Sequence, residues 1–242
     1  MRVAVESAET IQAARVMESQ AGTAYWSAWR NLPITFPKND LPRVPAHWRV
    51  FGARHSPLTN SPRLAANPVN AILNFLDALL EAESRLAAAA LGLDPGLGFL
   101  HADTKARDSL ACDLMEPVRP QVDALVLDWI ARSPLRREWF FEQRSGNCRL
   151  MAPFACQLAE TIPTWRRAVA LYAERIMHAL WLTTSRSTHQ PAPATRLAQS
   201  RKREVKRVPL MPPAERTLSR KRFVSFAEPP SHPGTLIVCI AL

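Results

Sequence analysis

The stretch from Asn67 to Gly92 constrains the fold more than any other part of the chain. Asn67 carries a side-chain oxygen suited to capping a helix start, and Pro68 follows at the first helical position, where a missing N–H leaves no bond unmade. Ile72, Leu73, Leu76, Leu79, Leu80, Leu86 and Ala87 then recur at three- and four-residue steps until Gly92. This spacing predicts one long helix whose apolar stripe is the core of a domain. Asp77, Glu81, Glu83 and Arg85 fall off the stripe and read as its solvated face.

Other segments supply partners for that stripe. Residues 5–31 are rich in Ala, Glu, Gln and Met without proline, and Ile11, Ala14, Glu18, Ala21 and Tyr25 repeat at helical steps. A helix from Asp113 is predicted by Met115, Val118, Val122, Leu125, Val126, Trp129 and Ile130, with Pro117 and Pro120 distorting its start. Ala155 to Leu182 reads as helical, broken at Pro163, with Trp165, Ala168, Tyr172, Ile176 and Leu180 on one side. Pro33 to Pro68 holds seven prolines and no sustained period, so it reads as a long connection, basic at Lys38, Arg43, Arg49, Arg54 and Arg63. Such a loop could guide a DNA strand or be a plain insertion. His47 and His55, in the same stretch, are assigned no role. The expected architecture is an all-α domain over residues 5–182, followed by a Pro-rich, basic, disordered tail over 183–242.

The charge distribution says more than its total. The chain carries a net +10, and from Thr183 onward eleven Lys or Arg stand against three Asp or Glu, with clusters at 201–207 and 220–222. Such a tail grips phosphate without reading sequence, and it leaves the body nearly neutral. Cys112, Cys148, Cys156 and Cys239 form neither a Cys-x-x-Cys pair nor a zinc spacing, so no disulfides are expected. No apolar run approaches the about 18 residues a membrane span needs, and the N-terminus has no apolar core, so the expected location is cytoplasmic, without membrane contact.

Chemistry concentrates between Gly98 and Pro120. His101 follows a glycine-bearing loop, and Asp113 and Glu116 stand three residues apart, which puts both acids on one helical face. An imidazole beside two carboxylates is half of a metal site. The ordinary alternatives are a hydrogen-bonded loop histidine and an acidic pair offsetting a helix dipole.

Several motifs here resemble one family in the same order, over about Ala14 to Leu182. Gly98-Phe99-Leu100-His101, then Asp113-Leu114-Met115-Glu116-Pro117 and Arg119-Pro120, are similar to the central signature of the CRISPR-associated endonuclease and integrase, the DNA-cutting subunit of the spacer-acquisition complex. Asn67-Pro68-Val69-Asn70-Ala71 and Gly92-Leu93-Asp94-Pro95-Gly96 match upstream. Glu18, followed by small residues and then Tyr25-Trp26, reproduces the family's first ligand motif, and Glu138 to Leu150 resembles its loop ending in Arg-Leu. The resemblance implies that Glu18, His101 and Glu116 are catalytic metal ligands for Mg²⁺ or Mn²⁺, supported by Tyr25 and by Asp113 as a flanking or conditional ligand. It implies Arg119 and Arg149 as phosphate contacts, with ordinary salt bridges as the alternative. It further implies double-stranded and branched DNA as substrate, a homodimer, and the small companion subunit of the adaptation complex as a partner.

Family members open with a β-sheet domain that supplies much of the homodimer contact, whereas here the match begins almost at Glu18. That weakens the expectation of a dimer. It also sets a second reading beside the first, a catalytically inactive, truncated, basic DNA-binding remnant; a basic interaction protein without nucleic acid is a remote third. The tail after Thr183 matches no family ending.

Overall fold

The structure is a computed structural model, and it describes residues 10–54, 65–101 and 108–184. His55, Arg63, Cys239 and the tail from residue 185 on, with its basic clusters, lie outside the described residues. Within them the chain is mostly helical. Helix α1 spans Ile11–Trp29, α2 Pro68–Ala90, α3 Ser109–Met115 and α4 Arg119–Arg132. A short hairpin, β1 Phe140–Glu142 against β2 Cys148–Leu150, precedes α5 Ala152–Ala159 and α6 Ile162–Thr184.

The long helix forms as its caps predict. The Asn67 side chain accepts the Asn70 N–H at 3.0 Å, Pro68 takes the first turn, and Gly92 follows the last turn at φ 75°, a left-handed conformation that favours glycine. Ile72, Leu76 and Leu80 are fully buried. They pack against α6 above all, and α2 also touches α3, α4, α5 and β2. The solvated-face assignment for its acids is corrected at two positions. Glu83 is buried, where Arg166 of α6 reaches its two oxygens at 2.8 and 3.2 Å, and Asp77 lines a groove described below. Glu81 and Arg85 do form an exposed pair.

Three other expectations change. The hairpin is an addition to the all-α reading: residues 138–150 were too short and too mixed to show a strand period, and the turn depends on Gly146 at φ 79°. The helix expected from Asp113 is two helices. The first starts at Ser109, Glu116 follows its last turn, and Pro120 sits in the opening turn of α4, so the prolines separate helices instead of bending one. The described part of the Pro33–Pro68 stretch, residues 33–54 and 65–68, sends side chains into the core: Ile34, Phe36, Val44, Trp48 and Phe51 are buried, and Pro33 bridges Val50. Its basic residues are mostly engaged, Arg43 with Asp40, Arg49 with the Leu41 and Val44 carbonyls, and Arg54 with Asn74. His47 pairs with Glu142 of the hairpin at 2.7 Å.

Cys112, Cys148 and Cys156 are free thiols. Among the described residues no helix is long and apolar enough to cross a membrane.

Candidate metal centre

The site is built around the loop that wraps the start of α3. Ser109 accepts the Gly98 N–H at 2.7 Å and donates to the Gly96 carbonyl at 2.5 Å, while Leu110 and Ala111 donate to Pro95. Gly98 cannot carry a side chain here. A Cβ would stand 2.5 Å from the Ser109 carbonyl carbon and 2.8 Å from an Asp113 oxygen, so glycine is the residue that permits this approach.

Asp113 organises the loop's far end. One carboxylate oxygen accepts the N–H groups of Phe99 and Leu100 at 2.5 and 2.9 Å; the other takes the His101 N–H at 3.1 Å and faces His101 Nδ1 at 2.7 Å. Burial acts to raise this carboxyl, but the His101 ring and the three N–H groups together hold it below its ordinary value. An ionised carboxylate only accepts hydrogen bonds. Nδ1 therefore carries a proton towards Asp113, which leaves Nε2 as the ring nitrogen that can offer a lone pair. A carboxylate behind an imidazole is the arrangement that fixes a metal-binding histidine's tautomer and direction.

Glu18 reaches the same neighbourhood from α1. Its carboxyl is raised, first by burial and then by the negative charge of Glu116; His101 and Arg119 act the other way, and Asp113 adds to the rise. Two ties bracket it on one helical stripe. Arg15, three residues earlier, donates to the Leu100 carbonyl at 2.5 Å, and Tyr25, seven residues later, donates to Asp123 of α4 at 3.0 Å. Leu100 adjoins His101 and Asp123 lies seven residues after Glu116 in the chain, so the ties keep Glu18 within electrostatic reach of both.

Glu116 is engaged by Arg119, whose Nη1 lies 2.8 Å from Oε1, while Arg119 Nη2 reaches Asp77 at 3.3 Å. These residues line a groove of about 440 Å³ with Asn74, Glu81 and Met115. Thus Glu18, His101, Asp113, Glu116 and Arg119 are brought together, with Tyr25 as a tie. Arg149 is not: it lies exposed on β2, its Nε 3.4 Å from the Gln143 side chain. Arg15, Asp77 and Asp123 were missed. Asp77 had a signal, since it stands between Leu73 and Leu80 at helical steps, on the flank of the apolar stripe.

The donors suit a hard divalent ion. One imidazole nitrogen and two carboxylates match Mg²⁺ or Mn²⁺, and the repulsion between Glu18 and Glu116 is what a cation would relieve. The side chains do not close on one point, for among the described residues no three His, Cys, Asp or Glu donors are placed to hold an ion.

The described residues form a mostly helical domain with one short hairpin. A solved structure described as a casposase bound to integration product shares the fold, with a TM-score of 0.59 and 22% identity over 77% of this chain and 54% of that one. The sequence profile of the family described as CRISPR associated protein Cas1 matches residues 1–160, and the chain belongs to that family. It is 39% identical to CRISPR-associated endonuclease Cas1 2 of Rhodospirillum rubrum over 60% of this chain and 38% of the relative. Against CRISPR-associated endonuclease Cas1 1 of Archaeoglobus fulgidus it is 38% identical over 55% and 35%, and against the Leptospira interrogans Cas1 33% over 57% and 49%. The chain therefore spans less than half the length of these curated relatives.

Proposed function

We propose that this chain is a divalent-metal-dependent DNA endonuclease and integrase of CRISPR spacer acquisition, with residues 5–182 as its catalytic domain. The observation that supports the reading is that Glu18, on its own helix, is electrostatically coupled to both Glu116 and His101, in a chain that belongs to the Cas1 family. Glu18, His101 and Glu116 are the residues that would hold Mg²⁺ or Mn²⁺. A bound ion supplies activation of the attacking hydroxyl, from water or a DNA 3′ end, and stabilises the in-line phosphoryl transition state.

The remaining steps belong to the protein. Asp113 holds the His101 ring through Nδ1, so that Nε2 is the nitrogen offered to the ion. Arg15 and Tyr25 fix the Glu18 helix against the loop and α4. The Arg119 N–H groups not engaged by carboxylates point to a phosphate of the strand, and Arg149 grips the backbone farther off. Double-stranded and branched DNA is the substrate, the small companion subunit is the partner, and the 183–242 segment adds sequence-independent phosphate contacts. A catalytically inactive DNA-binding domain of the same family is the second reading, favoured by the donors' failure to close on one point.

Calorimetric titration of Mn²⁺ into wild type and into Glu18→Ala, His101→Ala and Glu116→Ala tests the site, alongside nicking of a branched DNA with and without chelator. Each substitution is expected to weaken ion binding about tenfold or more and to abolish nicking. Ion binding that survives all three ends the site assignment. Ion binding without DNA turnover in the wild type selects the inactive reading.

A further inference from the structure

Asp77 has no role in the scheme above, and sequence spacing placed it on a solvated face. In the fold it stands in the groove, one side-chain oxygen bonded to Arg119 and the other, Oδ1, buried without a hydrogen-bond donor among the described residues. A carboxylate kept with one oxygen unsatisfied is expensive, so its position needs a reason beyond packing.

Arg119 supplies that reason. It sits three residues after Glu116 with its Nη1 on Glu116 Oε1 at 2.8 Å and its Nη2 on Asp77 at 3.3 Å, one guanidinium between a carboxylate of α2 and one from the turn between α3 and α4. Alone with Glu116 it would compete directly with a divalent ion for that carboxylate. A second carboxylate draws part of the charge away, and the planar fork of the guanidinium lets it serve both at once. Glu116 Oε2 receives no donor among the described residues and stays open. Arg54, anchored on Asn74 at 2.7 Å, adds positive charge near Asp77 and keeps the acid from standing alone.

We propose that Asp77 is a positioning residue for the metal site, sharing the Arg119 guanidinium with Glu116 so that Glu116 keeps an oxygen for a divalent ion. This rests on the metal site proposed above. It makes a signed prediction about coupling, because Asp77 acts only through Arg119. Removing Asp77 leaves Arg119 wholly on Glu116 and weakens ion binding; removing Arg119 as well takes the competitor away.

The test is Mn²⁺ affinity by calorimetry for the full chain as wild type, Asp77→Ala, Arg119→Gln and the double variant, with Glu116→Ala as control. Asp77→Ala is expected to weaken Mn²⁺ binding about tenfold. Arg119→Gln should bind at least as well as wild type, and the double variant should match Arg119→Gln. A double variant as weak as Asp77→Ala, an Arg119→Gln weaker than wild type, or an Asp77→Ala with wild-type affinity each overturns the inference. If wild type binds no Mn²⁺, or Glu116→Ala binds as wild type does, the metal-site reading itself has failed. Asp77→Asn separates charge from shape: it should lose affinity nearly as Asp77→Ala does, and full affinity in that variant overturns the charge-sharing account.

Discussion

The two halves of the proposed site are held in different ways. His101 and Glu116 hang on α3 and its flanking loop, against α2, whose buried residues include Ile72, Leu76, Leu80 and Ala88. Glu18 rides on α1, where only Ala21 and Trp29 are buried and where Ile11 and Val16 are about half exposed. What fastens α1 is concentrated at its C-terminal end, where Trp26 stacks on Phe51 and Trp29 packs tilted against the same ring. One half is set by a core and the other by a few directed contacts. Packing fixes a ligand against all small changes, whereas directed contacts fix it only as long as each survives, so α1 is where the geometry of a bound ion can adjust.

The sharpest way to break this contrast is to remove apolar bulk from each half. Leu76→Ala, at a fully buried position, is expected to cost about 2–5 kcal/mol of stability, and Val16→Ala on α1 under about 0.5 kcal/mol. Urea unfolding of both variants checks it, and comparable losses would show that α1 is part of the packed core.

Acid–base behaviour gives the next largest effect. Asp123, the acceptor for Tyr25, is pushed up to about 6 by burial, with the Tyr25 hydrogen bond opposing and the charge of Asp77 adding. Its folded pKa lies above the unfolded value, so the stability it contributes is full below about pH 4 and lost as pH rises through about 6, a change on the order of 3 kcal/mol. Glu18 and Asp77 are shifted in the same direction and share the sign. Asp123→Asn keeps an oxygen for Tyr25 and should flatten much of the fall. Unfolding free energies measured across that range decide it: an unaltered pH slope in Asp123→Asn removes Asp123 as the cause.

The difference between the halves also explains what could be seen in the sequence. The stripe of α2 was legible because burial against several neighbours demands many apolar residues at regular steps, and its caps at Asn67 and Gly92 are local chemistry. The motif around Gly98, His101 and Asp113 was legible from spacing only as half of a metal site and became specific through the resemblance, since its logic is a backbone approach that no periodicity records. Asp123 and Arg15 escaped because each acts through one partner distant in sequence, and a single polar residue on a helix looks solvated until its partner is known; Asp77 was read as solvated although its place between Leu73 and Leu80 pointed inward. The hairpin escaped for a related reason: each strand is three residues long, too short for a period to show, and β2 is also tied to a distant segment by the Cys148 N–H to the Ala65 carbonyl at 2.6 Å.

Smaller effects separate the ties of α1. Tyr25→Phe leaves the ring in its edge contact with Trp26, centroids 5.1 Å apart, and removes only the hydroxyl donated to Asp123. The expected loss is about 1–2 kcal/mol, because the buried Asp123 oxygen is left without that donor. The loss should shrink at low pH as Asp123 takes up a proton. A loss equal at all pH values would mean that the hydroxyl matters for packing and not for the carboxylate.

Arg15→Ala should have the smallest effect on stability, about 0.5–1 kcal/mol, since it removes one part-buried bond to the Leu100 carbonyl from the least packed end of α1. Its local effect should be much larger than its global one. Without that bond nothing polar ties the first turns of α1 to the His101 loop among the described residues, while Tyr25 and the aromatic cluster still hold the far end. Amide hydrogen exchange of the ion-free protein should therefore quicken in residues 13–20 and around Leu100, with residues 25–29 and α2 unchanged. Exchange that quickens along the whole of α1 would show that the helix moves as one piece, with the two ties acting as a single clamp; exchange unchanged everywhere would show that the Arg15 bond does not anchor the helix at all.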